Sequence, residues 1–101
     1  MFLLLQFTFI VFAKVTEKNQ MMYLPVISVT PIDNYKILLT FGNGEKRQFD
    51  MIPFLDKGIF QELRDISIFN TVKVSFDTIE WENEADIDPE ILYQYSEKLE
   101  E

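Results

Sequence analysis

The chain has 101 residues, 48% hydrophobic and 15% aromatic, which is enough for one small domain with its own core. Nine basic residues stand against seventeen acidic ones, for a net charge of −8 and a pI near 4.4, which argues against a general phosphate-backbone binder. There is no cysteine and no histidine, which removes disulfides, thiolate chemistry, a Ser-His-Asp triad and a His-bound metal.

The first thirteen residues, MFLLLQFTFIVFA, are apolar and precede the polar KVTEKNQ and the pair Met21-Met22. The run is shorter than the roughly 20 residues of a transmembrane helix. It has the length of a signal-peptide core, but no Lys or Arg precedes it and no small-x-small site follows. Three readings stand together: a mis-assigned start with translation beginning at Met21 or Met22, a membrane-directing or signal-like segment, or an extra strand. Residues 1–21 are therefore treated as an extension and 22–101 as the single domain. Without residues 1–20 the chain loses Lys14, Glu17 and Lys18, two bases and one acid, and its net charge becomes −9.

Val26–Thr30 is β-branched and reads as a strand, with Pro31–Asn34 as a turn. A second strand alternates, placing Tyr35, Ile37, Leu39 and Phe41 on one face. Asn43-Gly44 predicts a tight hairpin with positive φ at both central positions, followed by a strand over EKRQFDM. The period then changes, and Ile59–Arg64 reads as a short helix. From ISIF onward the period returns to two, with Val72, Val74 and Phe76 on one face. A turn at Asp77-Thr78 leads to a short strand, Ile79–Trp81. The last element is a helix capped by Asp88 and begun by Pro89, with Ile91, Leu92, Tyr95 and Leu99 as one apolar stripe. The predicted fold is α+β: a small antiparallel sheet of four or five hairpin-linked strands, a short central helix, and a C-terminal helix packed on the sheet.

Residues 81–90, WENEADIDPE, hold five acids, with Glu80 just before them. Asp86-x-Asp88-x-Glu90 imitates the opening of a calcium loop, but Ile91 stands where that loop needs glycine. Asp86 and Asp88 could be a carboxylate pair with split pKa values, yet no phosphate loop or nucleophile elbow accompanies them. The plainer reading makes Asp88 a helix cap, Glu90 a partner of the helix dipole, and Glu80, Glu82 and Glu84 a solvated edge. Trp81 anchors the core against the C-terminal helix beside Tyr93 or Tyr95, or else is an interface residue. Lys46 and Arg47 with Lys36 form the one local basic cluster, read first as cross-strand charges on a solvent face.

The order V-x-P-x-D-x-Y-x-I-x-L-x-F, then N-G-E-x-R-x-F-D, then F-x-x-L and F-x-x-V-x-V, and last I-x-W-x-N-x-A-D-I-D-P-E-x-L-Y, resembles a bacterial family known as domain of unknown function 2442. Its matching residues include Pro31, Phe41, Asn43-Gly44-Glu45, Phe49-Asp50, Trp81, Ala85-Asp86-Ile87-Asp88-Pro89 and Leu92-Tyr93. The resemblance runs from about Met22 to the C-terminus, and the closing motif is its most specific part. Glu84 stands where the pattern usually has glycine. The resemblance implies a small α+β domain without an established activity. Some relatives carry a following helix-turn-helix domain, and the genes often neighbour a second small protein, which points to toxin–antitoxin-like pairing. The expectation for this chain is that no such domain is appended after Glu101, so that a regulatory role would need a partner to reach DNA.

The resulting expectation is a non-catalytic interaction domain without a cofactor, the acidic neutralising half of a toxin–antitoxin-like pair. Its partner would be a small basic protein encoded nearby. The alternative is a nucleic-acid-associated regulatory domain acting through a partner, since direct nucleic-acid binding is disfavoured. The absence of cysteine fits a reducing cytoplasm; membrane association or export follows if residues 1–13 are retained. The residues singled out for interaction are Trp81, Asp86, Asp88, Pro89, Tyr93, Lys46 and Arg47.

Overall fold

A computed structural model describes residues 24–100. The readings of the N-terminal segment lie outside these residues. The fold is α+β, with two small antiparallel sheets and short helices around one core.

Strands β1 (Val26–Ile32), β2 (Lys36–Phe41) and β3 (Lys46–Asp50) form a meander, and β7 (Glu97–Lys98) adds to the free edge of β3. Alternation in β2 buries Ile37, Leu39 and Phe41, as the period-two pattern predicts. Pro31 is within β1 and pairs with Ile37, so the turn starts later than expected. Proline is tolerated because β1 is an edge strand of its sheet and needs no outward ladder donor. The turn itself holds Asn34 and Tyr35 at φ 64° and 60°.

The Asn43-Gly44 hairpin also departs from expectation. Only Gly44 has positive φ, 86°, and the loop has three residues. Phe41 accepts the Gly44 N–H, and its own N–H donates to Glu45 O. The result is a type I turn with a glycine bulge.

After β3 the chain makes two 3-10 stretches, Ile52–Phe54 and Gly58–Arg64, and then helix α1 (Ile66–Phe69). The second stretch is the expected central helix, with one residue more at its start. Helix α1 replaces the extended run read at Ile66–Phe69. Asp65 forces the change, because its side chain accepts the Ser67 N–H and caps a helical turn.

The second sheet contains β4 (Lys73–Ser75), β5 (Thr78–Glu80) and β6 (Asp86–Ile87) in that order. Its turn falls at Phe76-Asp77, one residue earlier than expected. Val72, Val74 and Phe76 therefore do not share a buried face: Val72 is buried, while Val74 and Phe76 are exposed.

Helix α2 (Pro89–Tyr95) packs on β3 and buries Leu92. The expected stripe fails, since Ile91, Tyr95 and Leu99 are exposed and the helix ends before Leu99. Tertiary hydrogen bonds override the helical period there. Arg47 takes the Ser96 carbonyl, and the Leu99 N–H donates to Lys46 O. Among the described residues, no helix is long and apolar enough to cross a membrane.

Candidate functional site

Part-buried polar groups converge where α2 meets the β2–β3 hairpin. Register places Arg47 opposite Leu39, on the core-facing side of the sheet. Its guanidinium lies 4.3 Å over the Tyr93 ring. Arg47 Nη1 donates to Glu45 Oε1 at 2.7 Å, Nε to Ser96 Oγ at 2.7 Å, and Nη2 to Ser96 O at 2.9 Å. Tyr93 Oη and Asn43 Nδ2 both donate to Glu45 Oε2 at 2.9 Å. Ser96 Oγ in turn donates to Tyr93 O.

The electrostatics follow from this geometry. Burial works against ionisation of Glu45, but hydrogen bonds from Arg47 and Tyr93 outweigh it and hold the carboxyl below its ordinary pKa. Burial, reinforced by the Glu45 carboxylate, pushes the Tyr93 phenol above its ordinary value. Among the described residues, no buried side-chain nitrogen or oxygen lacks a partner. A cluster so completely paired fixes the C-terminal helix and β7 against the hairpin. Sequence reading named Arg47 and Tyr93 but missed Glu45, Asn43 and Ser96. Glu45 and Asn43 stood in the quoted N-G-E motif, whereas nothing local marks Ser96, which lies 49 residues from Arg47.

The basic cluster separates. Lys46 faces Thr40, and Lys36 faces Asp50, both on the outer face, while Arg47 turns inward. Trp81 is 1% exposed, and its indole N–H donates to Phe69 O at 3.0 Å. Its ring neighbours are Phe60 and Phe69, from the helical segment between the sheets, rather than Tyr93 or Tyr95 of α2.

The acidic stretch is split by its secondary structure. Asp86 is exposed in β6 opposite Glu80, and Asp88 is exposed just before α2. Asp88 takes the N-cap position, but its side chain makes no cap bond. Its backbone carbonyl receives the Leu92 N–H instead, and Pro89 leaves one fewer N–H to satisfy. No group of three or more acidic side chains converges on a metal position among the described residues.

Glu84 adopts φ 72°, the left-handed conformation that glycine favours. The loop it closes repeats the first hairpin: Trp81 accepts the Glu84 N–H and donates to Ala85 O. Glutamate thus holds the left-handed position of this turn that Gly44 holds in the first.

The profile of a family described as a protein of unknown function, DUF2442, matches residues 26–98. No curated protein and no solved structure matches the chain.

Proposed function

The chain belongs to the DUF2442 family, and from that premise we propose that it is a non-catalytic interaction domain that binds a basic protein. The observation that carries this reading is the self-satisfied cluster of Glu45, Arg47, Tyr93 and Ser96. Its donors and acceptors are consumed in holding α2 to the sheet, so it offers a substrate no free acid, base or nucleophile.

Charge supplies the partner's chemistry. The net charge is −8, and Glu82, Glu84, Asp86, Asp88 and Glu90 are exposed along one short stretch. Such a surface attracts a cationic partner and repels nucleic acid. In its finer form, the chain is the acidic half of a toxin–antitoxin-like pair and masks a basic, nucleic-acid-binding protein.

The test is co-purification of the tagged full chain from its native cell. A stoichiometric protein rich in Lys and Arg is expected. An eluate dominated by DNA or RNA, or one holding the chain alone, would contradict the reading.

A further inference from the structure

The hairpin joining β4 to β5 ends in an anomaly. Phe76 is 99% exposed, and it occupies the turn at φ 48° with Asp77 at φ 69°. Two successive left-handed residues are the geometry for which Asn-Gly is preferred, and a bulky aromatic there is a backbone outlier. Phe76 makes no compensating contact with the core, as its exposure shows. Local stability therefore disfavours both its backbone conformation and its hydration.

The tip is nevertheless held in place. The Val26 N–H donates to Asp77 O at 2.9 Å, tying the hairpin to the start of β1. Ile27, the next residue, lies at a register break in β1 and is 58% exposed. Val74, in β4 two residues before Phe76, is exposed as well. A positioned aromatic with aliphatic neighbours is the composition of an interface anchor, where a rigid ring fills a partner's pocket.

We infer that Phe76 is the anchor of the interaction surface, inserting into an apolar pocket with a Lys/Arg rim on a basic protein partner. The cationic rim follows from Asp77 at the tip and from the net charge of −8. The same charge opposes a second copy of this chain and an anionic lipid surface as occupants. The inference rests on the interaction reading above and assigns that reading its surface.

Photocrosslinking in the native cell tests it. The full chain carries benzoylphenylalanine at position 76 or, in a parallel strain, at position 95, where Tyr95 is also well exposed on α2. The expected result is an adduct from position 76 alone, mapping by mass spectrometry to an apolar segment flanked by Lys or Arg. In the purified pair, Phe76→Ser should then weaken binding about 30-fold or more without lowering the melting temperature of the free chain. An adduct from position 95 alone, or equal binding by the Phe76→Ser chain, overturns the anchor and leaves the interaction reading standing. Adducts from neither position overturn both.

Discussion

Asn43 and Asn83 do the same work in two different hairpins. Asn43 Oδ1 accepts the Glu45 N–H at 3.0 Å, and Asn83 Oδ1 accepts the Ala85 N–H at 3.1 Å. Each follows a three-residue loop plan, with a left-handed residue directly after the asparagine: Gly44 at φ 86° and Glu84 at φ 72°. The side-chain bond bends the backbone into the turn, and the next residue must then accept positive φ.

Glu84→Gly should therefore stabilise the fold. Relief of left-handed strain is worth about 1–2 kcal/mol, and added unfolded-state entropy takes back about 0.5–1. A net gain of about 0.5–1 kcal/mol is expected in urea unfolding. A loss would show that the Glu84 side chain, not its backbone, matters here.

Gly42→Ala should do the reverse. A Cβ at that position would meet Pro25 Cδ at 2.9 Å, and the Gly42 N–H already donates to Pro25 O. Overpacking of this kind costs about 1–3 kcal/mol, so the melting temperature should fall measurably.

Arg47→Ala should cost about 2–4 kcal/mol, because it deletes three hydrogen bonds and leaves a part-buried Glu45 without its ion pair. Arg47→Lys should recover little of this, since an ammonium cannot bridge Glu45 and Ser96 while stacking on Tyr93. Amide exchange at Leu99, whose N–H bonds Lys46 O, should accelerate in both variants. Unchanged exchange there would show that β7 is held independently of Arg47.

Stability should fall at both ends of the pH scale. Glu45 titrates lower in the folded chain than unfolded, so its contribution is present above the unfolded carboxylate pKa of about 4.3 and disappears as pH falls through the folded value. Tyr93 titrates higher when folded, so its contribution is complete below the unfolded value of about 10 and is lost as pH rises through the folded one. Glu45→Gln should flatten the acid limb of a pH–stability profile, and Tyr93→Phe the alkaline limb. An acid limb of unaltered slope in Glu45→Gln would remove Glu45 from the account.

What was legible in the sequence was local. Alternation placed Ile37, Leu39 and Phe41 in the core, and the closing motif identified the family. Three features were illegible, each for its own reason. Helix α2 stops at Tyr95 because Arg47, far away in sequence, captures Ser96. Strands β6 and β7 have two residues each, too few to show a period. Helix α1 was hidden by an Ile-x-Ile pattern that the Asp65 cap overrules. The hairpin at Asn43 was seen, but a three-residue loop and a two-residue loop share the same Asn-Gly signal.

The claim that matters most is that an acidic surface draws a basic protein partner. Its most direct test is the association rate of the full chain with the co-purified partner, measured between 20 and 300 mM NaCl. Electrostatic steering predicts that the rate falls about tenfold or more across that range while dissociation changes far less. An association rate indifferent to salt would contradict the claim.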